Sequence, residues 1–451
     1  MQFLKLIFPR RFYRFLSPEL FNLLILSLVL KFFLMVFAIH PDFFFIHMFP
    51  NLLVSHGVVN IYELFASELS NKPGFYYSPP VFYFFSAVQI AFKPILPGFS
   101  IYMDNAFEIY KSGLATPLAY LNSFDINYFR PFFLLKLPYI LFDLGVSTVI
   151  VRLVDSWPKA KKAFLFWIFN PVVLYGTYAY GQFDIIPTFL LLLTLFLGLK
   201  KRIILAMLTI GLAATFKNFA LVAILPVAFS LGKDYRNRLM LSLIGLSPFV
   251  LSLLCVYIQA PSQVLYTLIP KFYLSKTALD ENVYSSLSKF TRYFLLFISY
   301  ISVLGFSLFA KINLKEKIIG LVTFNLLSLF AFSPVILFHY LTIVTPFLIL
   351  LFADRKKFTQ FFYLYIASAA IFKLWTPIQQ LGLLAPINNS FLYLPSTSEI
   401  ISKVFPYTYL SSIFYIVFFI LSLHFMFEIA TRLIFKSELK RKPQSVLILI
   451  P

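Results

Sequence analysis

Asp42 follows directly on a long apolar run, and a carboxylate at that boundary can accept a proton from a hydroxyl if its pKa suits the task. The same residue could instead cap a short helix, as Asp often does. Around it stand His40, His47, His56, Glu63 and Glu68, followed by Tyr76-Tyr77-Ser78-Pro79-Pro80. His40, Asp42 and His47 are metal-ligating types, but their spacing matches no strong metal pattern, and a divalent cation held by carboxylates stays an open reading. A second group is Tyr180-Gly181-Gln182-Phe183-Asp184-Ile185-Ile186-Pro187. Gly181 permits a tight turn and Pro187 suits the first turn of the next helix. Asp184 then reads either as a helix cap or, with Gln182, as part of the cavity that Asp42 faces. Lys217 stands in an apolar stretch, where an unpaired ammonium is expensive, so it either snorkels to the interface or meets an anion. With His339-Tyr340, it suits an anionic head group held at the membrane surface. Lys136 and Asp143, seven residues apart on one helix face, either line the bundle interior or pair with neighbouring helices.

Composition names the elements that must carry these groups. Of 451 residues, 60% are hydrophobic, 12% are charged and 59 are Phe, and the mean hydropathy is +0.85. A soluble globule of this size cannot hide so much apolar surface, and a disordered chain would not contain it. The single cysteine, Cys255, excludes an intrachain disulfide scaffold. The expectation is an all-α, polytopic transmembrane bundle of about 11–13 spans with a catalytic outer loop after the first. The candidate runs are 20–39, 79–97, 131–151, 163–180, 183–199, 203–216, 218–231, 239–259, 292–310, 318–335, 338–353, 359–375 and 408–431. The first has no small-residue cleavage site after it and reads as an uncleaved anchor. The runs 203–216 and 218–231 are short and read as a pair turning at Lys217-Asn218.

The net charge of +20 is a matter of topology. Of 38 Lys and Arg, 25 lie in clusters at 1–19, 152–162, 200–202, 233–238, 311–317, 355–357 and 432–442. Clusters on one side of successive spans are the positive-inside signature, and they favour contact with anionic membrane lipids. No basic stripe with interleaved aromatics points to nucleic acid. The outer side then receives 40–78, 180–184, 217–218, 260–291, 336–340 and 376–407. Two basic termini demand an even number of crossings, against thirteen runs. The conflict localises to 97–152 and predicts a re-entrant or partial element within 98–130. Gly-rich phosphate loops and alternating strands are absent from the sequence, so any phosphorylated donor must reach the site from the membrane. A transporter or flippase is the rival class, but its polar residues would gather at mid-depth.

The order of these features resembles the polytopic, lipid-donor glycosyltransferases of the GT-C fold, in particular the bacterial proteins related to the GPI mannosyltransferase II group. The pieces are Asp42, Gly57 to Tyr62, Tyr77-Ser78-Pro79-Pro80, Lys136-Leu137-Pro138 with Asp143-Leu144, and Phe169-Asn170-Pro171. Gly181-Gln182-Phe183-Asp184, Lys217, Leu225-Pro226, Ser333-Pro334, His339-Tyr340-Leu341 and Pro346 continue the series. Tyr180 and Phe183 depart from the family's usual residues but keep aromatic positions. The resemblance implies transfer of a sugar, mannose or another hexose, from a polyprenyl-phosphate donor to a glycan or lipid acceptor on the non-cytoplasmic face. It implies Asp42 as catalytic base, Lys217 and His339 as donor-phosphate ligands, and Tyr77, Gln182, Asp184 and Tyr340 as lining. It covers 20–353, so the expected organisation is a catalytic module over 1–353, outer loop 40–78 included, and further transmembrane helices over 354–451. The expected setting is a bacterial cell membrane, or the endoplasmic reticulum for a eukaryotic chain.

Overall fold

The computed structural model describes residues 17–38, 40, 42–69, 77–112, 129–268, 289–332, 337–353, 355, 358–374 and 407–439, with isolated positions between 384 and 403. The described residues are helical throughout, without a strand, as the apolar runs predict. In chain order the helices are α1 (Pro18–Phe37), α2 (Asp42–His56), α3 (Ile61–Ser67), α4 (Pro79–Phe92), α5 (Phe99–Ser112), α6 (Phe129–Leu153), α7 (Trp157–Ile168) and α8 (Ile185–Leu199). Then follow α9 (Ile203–Phe216), α10 (Leu221–Leu231), α11 (Tyr235–Gln259), α12 (Lys289–Phe309), α13 (Leu314–Phe332), α14 (Leu341–Phe352), α15 (Phe358–Leu374) and α16 (Tyr407–Leu439). Most of 376–407, residues 269–288 and Ser333-Pro334 lie outside the described residues.

The pairing of α1 with α6 answers the parity conflict. Phe37, at the end of α1, packs on Phe129, at the start of α6, with ring centroids 5.4 Å apart. Midway, Lys31 Nζ meets Asp143 Oδ2 at 2.6 Å. At the far end, Lys161 beyond α6 reaches back to Glu19 at 3.3 Å. The two helices are antiparallel, so the chain from 40 to 128 leaves and re-enters at one end of the bundle. The expected crossing at 79–97 is therefore corrected. It is α4, which packs on α2 and is not among the helices long and apolar enough to cross a membrane. The predicted partial element is α5, an amphipathic helix that buries Phe99, Met103, Ala106, Phe107 and Tyr110 on one face.

Full-length spans are fewer than the run count suggests. Among the described residues, Pro18–Phe37, Phe129–Leu153, Tyr235–Gln259, Phe290–Phe309 and Ser412–Ile434 are long and apolar enough to cross a membrane. The runs at 185–199, 203–216, 218–231 and 338–352 form shorter helices. Each of these has one end beside Asp184, Lys217 or His339, where polar groups and Pro break the helical ladder. After α2 the chain turns by 111° into α3. The major apolar core runs through the bundle, while a second forms where α2, α3, α4 and α5 meet the start of α6 and the end of α11. Helix α16 packs on α13 and α15, continuing the major core.

Candidate functional site

The site is built on the chain between α7 and α8. Asn170 Oδ1 accepts the Val172 N–H at 2.9 Å and Pro171 takes the first helical position, starting a one-turn helix that widens into a π-helical segment, Leu174–Ala179. Gly181 then adopts φ +82°, a region that L side chains rarely enter. Three contacts fix the turn. Gln182 N–H donates to Gly176 O at 3.0 Å, Tyr139 Oη to Gly181 O at 3.0 Å, and Lys136 Nζ to Tyr178 O at 2.9 Å. Lys136 Nζ also donates to Ala38 O at 2.7 Å, so one buried ammonium ties the end of α1 to this turn.

From that turn Gln182 Nε2 donates to Asp42 Oδ2. Asp42 opens α2. Its backbone N–H donates to His40 Nδ1 at 3.2 Å, and its carboxylate Oδ1 lies 3.3 Å from the same nitrogen. Two residues beyond Gln182, Asp184 does not cap α8, contrary to the cap reading: its side chain makes no capping bond and both oxygens are buried without a hydrogen-bond partner. They face cations and rings instead, Lys217 Nζ at 3.4 Å and His339 Nε2 at 3.7 Å.

Lys217 does not snorkel. Its side chain is 10% exposed, and its Nζ lies 4.7, 5.1 and 5.5 Å from the ring centroids of Phe183, Tyr340 and Tyr77. Asp184 and three aromatic faces hold this ammonium within the chain itself. Tyr77 is placed there by its neighbours: Ser78 Oγ donates to Thr215 O at the end of α9, and Tyr62 Oη donates to Tyr77 O. A ring stack joins the two halves of the site. His40 lies on Tyr180 with centroids 3.4 Å apart, Tyr180 is 5.0 Å from His339, and His339 meets Tyr340 edge-on at 4.5 Å. Gly176 makes room for this stack, since a Cβ there would come within 2.8 Å of the His339 Cβ.

All seven residues expected at the site, Asp42, Tyr77, Gln182, Asp184, Lys217, His339 and Tyr340, thus converge at one end of the bundle. Other candidates do not join them. His47 is buried beside Gln89, whose Nε2 donates to His47 O at 2.8 Å. His56 pairs with Asp104 at 2.9 Å, Glu68 with Lys111 at 2.6 Å, and Glu63 accepts from Asn60 at 3.1 Å. Asp143 takes the interhelical alternative: Lys31, Trp167 Nε1 and Tyr178 Oη each donate to it at 2.6 Å. Lys31 went unnoticed in the sequence, although an ionisable residue inside the first apolar run was signal enough. Tyr180 and Phe183 figured there only as departures, whereas they form the stack and the floor under Lys217. Among the described residues no group of three or more His, Cys, Asp or Glu side chains converges. The site's ligand types are split into His40–Asp42 and Asp184–His339, with an ammonium against Asp184, so these residues do not fit the divalent ion left open by the sequence.

A family model described as glycosyltransferase family 87 matches residues 114–377, more than half of the chain. This chain belongs to glycosyltransferase family 87. The matched region carries Gln182, Asp184, Lys217, His339 and Tyr340, while Asp42 and Tyr77 come from the chain before it. The chain is also similar to GPI mannosyltransferase 1 of Saccharomyces cerevisiae, 29% identical over 115 residues, which is 25% of this chain and 28% of that protein. In this family-87 chain, five helices among the described residues are long and apolar enough to cross a membrane, and the polar site gathers at one end of the bundle.

Proposed function

We propose that this glycosyltransferase moves a hexose, mannose in the first instance, from a polyprenyl-phosphate donor to a glycan or lipid acceptor on the non-cytoplasmic face. The observation that carries this reading is the convergence of a carboxylate, Asp42, and a caged ammonium, Lys217, on the two sides of the Gln182–Asp184 turn. The basic clusters at the opposite end support the face, and the yeast relative's name supports mannose. In the step itself the acceptor oxygen bonds to the sugar's anomeric carbon as the bond from that carbon to the phosphate oxygen breaks. The acceptor's proton passes to Asp42, and the bond electrons leave with the polyprenyl phosphate. A single displacement of this kind inverts the anomeric configuration. A phosphate leaving group needs charge stabilisation more than a proton, and Lys217 supplies it by exchanging Asp184 for phosphate. His339 Nε2, buried and without a hydrogen-bond partner, is the second phosphate contact. Gln182 keeps the Asp42 carboxylate aimed, and Tyr77 and Tyr340 wall the charged centre from water. The catalytic module is 1–353, with 354–451 as supporting helices.

Asp42→Asn tests the reading with purified protein and a panel of labelled polyprenyl-phosphate sugars. Asn keeps the shape and the bond from Gln182 but cannot take a proton. Transfer should fall by about 10²–10⁴ while donor binding persists. Near-normal turnover would sink Asp42 as base and transfer the role to Asp184.

A further inference from the structure

At the end of the bundle away from Asp42, a cavity of about 670 Å³ opens between the turn after α6, the start of α13, the end of α14 and the last turns of α16. Four cations line it, Lys159, Lys315, Arg355 and Arg432, against two acids, Asp155 and Glu316. Arg432 is held rigidly: its Nη1 donates to Leu351 O at 2.9 Å and its guanidinium lies 4.7 Å from the Phe352 ring centroid. Lys315 meets the Asp155 carboxylate at 2.8 and 2.9 Å, and Arg355 meets Glu428 at 2.8 Å. The Asp155 side chain is 91% exposed, so its pair is a weak, salt-screened one that a more highly charged anion displaces. Ile319, Ile349 and Leu350 add apolar lining.

We propose that this cavity binds a phosphate-bearing anion, either the headgroup of an anionic phospholipid or a soluble phosphate compound. Guanidinium and ammonium groups from four separate chain segments converge on one concavity, and Arg is suited to phosphate oxygens by its planar fork. The apolar lining suits a lipid's glycerol and first acyl carbons. One cation from each of four basic clusters, Lys159, Lys315, Arg355 and Arg432, thereby meets the others in one recognition site. It is independent of the sugar-transfer reading.

Native mass spectrometry of the delipidated full chain, titrated with phosphatidylglycerol, phosphatidylcholine or inorganic phosphate, tests it. The variant Lys315→Gln/Arg355→Gln is compared with Lys201→Gln/Arg202→Gln, which removes equal charge from an exposed turn outside the cavity. The cavity variant should bind phosphatidylglycerol about 30-fold more weakly, roughly fivefold for each cation removed, while the control binds as the parent does. Competition by inorganic phosphate, abolished in the same variant, identifies a soluble ligand; binding of phosphatidylglycerol alone identifies a headgroup. Equal phosphatidylglycerol affinity in both variants, or phosphatidylcholine bound as well as phosphatidylglycerol, overturns the proposal. Lys159→Gln, read in the same way, replaces the double variant if that does not fold.

Discussion

Lys217 shows how a charge survives among apolar side chains: three aromatic faces and one carboxylate surround its ammonium, and no single partner is strong enough to lock it away. Lys217→Ala should therefore raise the KM for lipid donor by at least about tenfold, the worth of one charge-assisted hydrogen bond. It should disturb folding little, because Asp184 can take up a proton. A donor titration with a thermal melt in parallel checks this, and an unchanged KM would reduce the ammonium to a structural role. His40 is a positioning residue of a different kind. It accepts the Asp42 N–H and stacks on Tyr180. His40→Phe keeps the stack and removes the acceptor, so kcat should fall several-fold, about the worth of one hydrogen bond, with donor KM held. Equal falls in Tm and in total activity, with no split between kcat and KM, would mark it as packing alone.

At the level of elements, helices here are joined by buried polar contacts as well as by apolar packing, as expected where lipid is no less apolar than a leucine side chain. Lys31 on α1, Asp143 on α6, Trp167 on α7 and Tyr178 in the π-helical segment form one buried network. Asp143→Asn can still accept from Trp167 and Tyr178 but leaves the Lys31 ammonium without its counter-charge, a destabilisation of about 3–5 kcal/mol. Adding Lys31→Met should recover most of it. Thermal melts in one detergent measure both variants, and a double variant no more stable than Asp143→Asn would show that the ion pair is not what joins α1 to α6. The same pairing sets the entry angle of the loop that carries Asp42, so element stability and site geometry are linked.

For the whole molecule the expected outcome concerns sidedness. In a Cys255→Ser background, Ser67→Cys should react with a membrane-impermeant thiol reagent from the non-cytoplasmic face, and Arg202→Cys only after the membrane is opened. Both positions are exposed. Labelling of the two from the same side would overturn the expected sidedness. Family-87 membership bears on the larger part of the chain, but it does not reach Asp42. The fold supplies that residue from the segment before the match, which is why the chain between α1 and α6 matters to the assembled site.

Hydropathy and charge placement were enough to establish an all-helical membrane protein with its polar groups on one side, because the bilayer punishes each exposed polar backbone or misplaced charge separately. Asp42, Gln182, Asp184, Lys217 and His339 were visible for the same reason: each is costly where it stands. A return crossing at 79–97 could not be excluded from the sequence, since only the meeting of Phe37 with Phe129, remote in the chain, brings the segment back to the same end of the bundle. Asp184 as a cap was locally sensible, and it gave way to Lys217 and His339, which lie 33 and 155 residues further along the chain. The stacking of His40, Tyr180 and His339 and the cage around Lys217 were likewise decided by tertiary structure. Aromatic residues abound in this chain, and which rings face one another depends on the crossing of helices remote in sequence, a long-range packing choice that no local spacing encodes.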